Sequence, residues 1–161
     1  MILKFKKIIL VMSLLSIFSS CEAQTKLPKD LPSNAEIIYI SEGGFSPSFF
    51  RVEIVGLKMK IKKQSAETQN QEITSEAELS AAEVQNLYKV FVENKFDSLK
   101  PNEDMGVADG KSRSIELKFD QNRFYATNGD GVEPPKGHAE RFRKIEDAIG
   151  KLIAAHSKKE N

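Results

Sequence analysis

Two short runs in the first half of the chain alternate apolar and charged residues with a period of two. In FFRVEIV, Phe50, Val52 and Ile54 alternate with Arg51 and Glu53; in LKMKIKK, Leu57, Met59 and Ile61 alternate with Lys58, Lys60 and Lys62. Successive side chains of a strand point to opposite faces, so each run predicts a strand with one apolar and one charged face. Gly56 lies between the runs and suits a tight turn, which makes them an antiparallel hairpin with one wet face. SIELKF repeats the alternation, with Ile115, Leu117 and Phe119 on one side and Glu116 and Lys118 on the other. DQN then supplies turn chemistry, and RFYAT returns as a partner strand. Upstream, AEIIYI is apolar and β-branched, a further strand, and it is closed by the glycine- and proline-marked SEGGFSPS.

Between the two hairpins the period changes. QSAETQNQEITSEAE, Gln64 to Glu78, is polar and reads as a loop or as a strand extension around Ile73. Ser80 and Glu83 then have capping-box spacing, and Val84, Leu87, Tyr88 and Phe91 fall on one helix face, with Leu79 placed to staple the start. A last helix over roughly Ala139 to Ala155 carries Phe142, Ile145, Ile149, Leu152 and Ile153 at helical spacing. The predicted order is strand, strand, strand, helix, strand, strand, helix. One-faced strands and amphipathic helices bury each other when helices pack on one face of an antiparallel sheet. The expectation is a single α+β domain over residues 35–156, with about five antiparallel strands and both helices on one face. Residues 157–161 are a solvated tail.

The N-terminus follows a different rule. MILKFKK has three lysines and no acid, and IILVMSLLSIF is an apolar run of about eleven residues, roughly 17 Å of helix against a hydrocarbon core of about 30 Å. A basic start, a short apolar run and small residues at its end make an export signal rather than a membrane span. Phe18-Ser19-Ser20-Cys21 closes this signal, and Cys21 is the chain's only cysteine. This resembles the bacterial lipoprotein signal, an aliphatic residue and two small ones before a cysteine, with Phe18 in the place usually held by Leu. The resemblance implies cleavage after Ser20, lipidation of the Cys21 sulfur and acylation of the new amine, as by palmitate. It implies a protein anchored to a bacterial membrane in the cell envelope, outside the cytoplasm. Residues 1–20 are then the signal peptide, and residues 21–34, polar with Pro28 and Pro32, a tether to the domain.

Composition narrows the rest. Removing residues 1–20 takes away three lysines and moves the net charge from +1 to about −2, so no strong field recruits nucleic acid. A lone cysteine cannot form a disulfide within the chain. No catalytic constellation is present, no cofactor is called for, and no metal-binding spacing occurs. Gly43 and Gly44, with Phe45 and Phe49 nearby, form a candidate partner loop. Lys58, Lys60 and Lys62 form a candidate basic face. Glu103, Asp104 and Asp109 crowd a candidate acidic loop, without the D-x-[DN]-x-[DN]-G spacing of a calcium loop. His138 and His156 stand about five turns apart, too far to share a ligand, and His156 suits a helix C-terminus.

The reading that follows is a non-catalytic, lipid-anchored accessory protein that binds another envelope protein through its sheet or its loops. One alternative is a small-molecule or lipid carrier with a pocket between helices and sheet, lined by Phe50, Phe91, Phe119, Phe124 and Phe142. A third is an enzyme working from the acidic loop around Asp104 and Asp109.

Overall fold

The structure, a computed structural model, describes residues 26–43, 48–65, 71–101, 110–129 and 135–157. Six strands form one antiparallel sheet: β1 (Glu36–Gly43), β2 (Ser48–Val55), β3 (Lys58–Ser65), β4 (Ile73–Glu78), β5 (Lys111–Phe119) and β6 (Asn122–Gly129), in the spatial order β4-β3-β2-β1-β5-β6. Helix α1 (Ala81–Glu93), a 3₁₀ turn (Phe96–Ser98) and helix α2 (His138–Ser157) complete the fold. The α+β class and the predicted elements are present, with one strand more than expected. The extra strand is β4, which gives the order strand, strand, strand, strand, helix, strand, strand, helix. ITSEAE pairs with β3 from Lys58↔Glu78 to Lys63↔Ile73. It is an edge strand held mainly by its backbone ladder, so it shows little apolar alternation.

The register fixes which side chains share a face. Ile37, Tyr39, Val52, Ile54, Met59, Ile61, Ile115, Leu117, Phe119 and Ala126 join the helix residues Val84, Leu87, Tyr88, Phe91, Phe142, Ile145 and Ile149 in one core. Leu57 departs from the predicted pattern. It sits in the turn with Gly56, between the paired Val55 and Lys58, and is half exposed. Gly56 there has φ +59, a conformation that costs glycine nothing.

Helix α1 starts where the spacing predicts. The Ser80 hydroxyl accepts from the Glu83 N–H, and the Glu83 carboxylate accepts from the Ser80 N–H at 2.7 Å. A cap of this kind is worth about 1 kcal/mol. The two helices run antiparallel and are stitched at both ends. Arg141 Nη1 donates to Ser98 Oγ at 2.8 Å, and His156 Nε2 meets Glu83 Oε1 at 2.9 Å.

The Ser80 backbone N–H, then its hydroxyl, then His156 hold the Glu83 carboxyl down to about 2. A depressed carboxyl stabilises the fold above its ordinary value of 4.5, and that contribution disappears as pH falls toward 2. Glu83→Gln is therefore expected to lower thermal stability at pH 6 and to flatten the acid limb between pH 5 and 2. Unfolding scans across that range, run beside the wild type, check both.

Residues 26–34 fall within the expected tether, yet they lie against α1. Leu27 and Leu31 pack on the core, the Tyr88 hydroxyl donates to the Pro28 carbonyl at 2.8 Å, and the Leu31 N–H donates to Gln85 Oε1. Burial and the nearby Asp97 and Asp30 push the Tyr88 phenol up to about 12. The two leucines, four residues apart, dock this stretch. The part of the tether before Lys26 and the signal peptide lie outside the described residues.

Candidate functional site

The antiparallel register places the end of β1, the start of β2, the end of β3, the start of β5 and the end of β6 at one end of the sheet. At that end, on the helix-bearing face, the described strand residues and α2 do not close on each other. Between them runs an open groove of about 900 Å³. Its floor is Tyr39 and Ser41 of β1, Phe50 of β2 and Arg113 of β5; its wall is Arg143, Glu146, Gly150 and Lys151 of α2. Past Glu146 it continues toward Asn128 and Glu140, and past Phe50 and Ile153 toward Ser75 and His156.

One polar constellation holds the centre. The Tyr39 hydroxyl donates to Glu146 Oε1 at 2.7 Å, and Arg113 Nη1 lies 3.8 Å from Glu146 Oε2. Burial, then the Glu146 carboxylate beside it, push the Tyr39 phenol well above its ordinary range, so it keeps its proton and acts as a donor. Both Glu146 oxygens face donors, and Lys111, Arg143, Asp147 and Lys151 also line the groove, with Glu140 beside Arg143 where the groove continues. The groove presents cations, a half-buried aromatic ring and a helix backbone laid open at Gly150.

Gly43 closes β1 at the groove's rim with φ +88, and a Cβ there would lie 2.8 Å from the Gly110 carbonyl oxygen. The ends of the candidate partner loop and of the candidate acidic loop therefore meet, backbone against backbone, at the Gly43↔Lys111 pair. Gly43→Ala is expected to cost about 2 kcal/mol, because it combines a left-handed φ with a backbone clash. A denaturant melt checks it; an unchanged midpoint would mean that β1 and β5 can part there freely.

Gly44, Phe45, Glu103, Asp104 and Asp109 lie outside the described residues. Phe49 is in β2, opposite Glu42 and Gln64, on the face of the sheet without helices. Lys58, Lys60 and Lys62 are on that same face, but among acids. Lys60 Nζ is 3.5 Å from Glu76 and Lys62 Nζ 3.2 Å from Glu72. Lys118 bridges Glu36 and Glu116, Arg123 pairs with Glu116, and Arg51 pairs with Glu53. The basic stripe is one row of a mixed-charge lattice, where each exposed pair is worth well under 1 kcal/mol.

All five phenylalanines proposed for a carrier pocket belong to the core or pack on it. Phe91 and Phe142 are fully buried, Phe91 packs edge-on against Phe96 at 4.9 Å, and Phe119 stacks on Phe124 at 5.7 Å. Only Phe50 borders the groove. His138 is buried beside Phe142 and donates from Nε2 to the Thr127 carbonyl at 3.2 Å, tying the start of α2 to β6. Among the described residues no three His, Cys, Asp or Glu side chains converge as metal ligands, and no helix is long and apolar enough to cross a membrane.

The sequence reading passed over Tyr39, Arg113, Glu146 and Gly150. The first three come from three separate elements and meet only through the fold; Gly150 alone left a trace, as a glycine inside a helical pattern. No protein-family model matches the chain, and no curated protein matches it.

Proposed function

We propose that this is a non-catalytic, lipid-anchored envelope protein, a binding module whose groove under α2 takes a segment of another protein. The observation that carries the reading is the groove between the end of the sheet and α2, which no described residue fills. A broad open concavity has the Tyr39–Glu146–Arg113 constellation at its centre, and its floor and wall stand on regular strands and a helix. Sites built on such elements keep their geometry better than sites on loops. Cys21, lipidated after cleavage behind Ser20, would hold the module at a membrane surface, where a partner in the same envelope is locally concentrated.

The test is photocrosslinking in cells, with a benzophenone residue at Lys151 in the groove wall or at Lys60 on the helix-free face. A discrete adduct at position 151 and none at position 60 supports the reading. No adduct at 151, or the same adduct at both positions, would overturn the groove as the binding surface.

A further inference from the structure

Of the four large hydrophobic side chains that stand exposed among the described residues, two flank a single glycine. Val55 is 56 % and Leu57 50 % exposed, on either side of Gly56 at the turn from β2 to β3. Val55 pairs with Lys58, so Gly56 and Leu57 make a two-residue turn, with the positive φ of Gly56 in its first place. Asn, Asp or Ser ordinarily follows the glycine of such a turn. The turn itself asks for no apolar side chain, and the core leaves this one outside.

The other turn at this end shows the ordinary solution. Phe119 pairs with Asn122, and between them Asp120 and Gln121 are polar and exposed. Both turns stand at the same end of the sheet, since Glu36 of β1 lies opposite Val55 on one side and Lys118 on the other. The apolar tip is also fixed in position. The Leu79 N–H donates to the Leu57 carbonyl at 2.8 Å, which ties the turn to the start of α1. Charge gives the tip no sign, because Lys58 lies opposite Glu78 and Lys118 pairs with Glu36. What the tip offers is aliphatic surface, and exposed surface of that kind marks contact with a protein or a membrane.

The chain's own attachment chooses between them. Tyr88 holds Pro28 about 11 Å along α1 from its start. From Pro28 back to Cys21 the chain can extend up to about 24 Å. A lipid on Cys21 therefore has the reach to lie level with the tip, even with α1 upright on the bilayer.

We infer that the Val55–Gly56–Leu57 turn is a membrane-contact site, whose two aliphatic side chains enter the interfacial layer of the bilayer that holds Cys21. This rests on the lipid anchor of the proposed function and adds a second point of contact. An anchor alone limits distance; an anchor and a fixed tip together give the domain one orientation on the membrane.

The chain has no tryptophan, so a single introduced one is the sole reporter. The lipidated full chain carrying Leu57→Trp, or Gln121→Trp for comparison, is reconstituted in phosphatidylcholine vesicles with brominated acyl chains. Quenching at position 57 is expected to be at least threefold that at position 121, with emission at shorter wavelength. In a chain carrying Val55→Trp, adding Leu57→Asn should reduce the quenching at least twofold and leave the melting temperature unchanged. Equal quenching at positions 57 and 121, in a chain that floats with the vesicles, would overturn the inference and leave the anchor standing. So would a position 57 shielded from acrylamide yet out of reach of the brominated chains, which would make the tip a contact with protein. A chain whose intact mass shows no lipid would overturn the anchor and the inference together.

Discussion

Phe142→Ala is expected to destabilise the domain by about 3–5 kcal/mol and to lower its melting temperature by roughly 10–20 °C. Phe142 is fully buried in the first turns of α2, among core residues that have no space to collapse into the void. Its ring lies nearly parallel to the His138 ring, with centroids 6.4 Å apart, and His138 in turn holds the Thr127 carbonyl. The loss therefore goes beyond a cavity, because the tie between α2 and the β6 edge loosens with it. Domains of this size have about 5–15 kcal/mol in total, so the variant sits near the unfolding threshold. The groove wall is α2, and crosslinking at position 151 should fall together with stability. Gly150→Leu provides the contrast, since it should fill the groove, reduce crosslinking at position 151 and spare stability. Thermal melts of the two variants side by side separate damage to the scaffold from damage to the site. A Phe142→Ala protein that melts within a few degrees of the wild type would mean that α2 is held mainly by its later turns.

The same contrast explains what could be read from the sequence. Elements that bury one face against the core announced themselves through period. Val52, Ile54, Met59 and Ile61 alternate as predicted, the Ser80–Glu83 capping box closes, and Val84, Leu87, Tyr88 and Phe91 all turn inward. Elements held by other means were silent. In β4 only Ala77 reaches the core and Ile73 is half exposed, so the strand has no apolar stripe to detect. Leu27 and Leu31, each followed by a proline, dock in a stretch whose composition reads as linker. The site was the least legible part. Tyr39 and Glu146 are 107 residues apart and meet only because β1 lies at the middle of the sheet and α2 crosses it. Lys58, Lys60 and Lys62 drew notice because they are consecutive on one strand face. The acids that balance them come from neighbouring strands, where no local pattern shows them. Gly150 is the exception. A glycine inside a strong amphipathic helix is visible in sequence, but only the open space around it removes packing as its reason.

On the proposal that Cys21 carries the anchor, Cys21→Ala is expected to abolish incorporation of a labelled fatty acid completely. Alanine has no sulfur to accept an acyl group, and each buried CH₂ contributes about 0.8 kcal/mol to membrane attachment, so the loss is all or none. One chain alone holds only marginally, whereas the two or three implied by the signal hold stably. The intact mass of the wild-type protein should correspond to a chain beginning at Cys21 with lipid attached. A wild-type protein without fatty-acid label would dispose of the anchor and leave the groove to be judged alone. The docking of Leu27 and Leu31 gives the anchor a geometric consequence. A tether free from Cys21 to Ala35 could extend about 47 Å, but with residues 26–34 laid along α1 the slack between Cys21 and Lys26 is about 17 Å. The domain would then ride close to the bilayer, and its partner segment would have to come to the membrane surface to meet the groove. Leu27→Asp with Leu31→Asp should release the strap and lengthen that reach. The length of crosslinker needed to join the domain to a membrane-embedded neighbour should rise accordingly, while fatty-acid labelling stays unchanged.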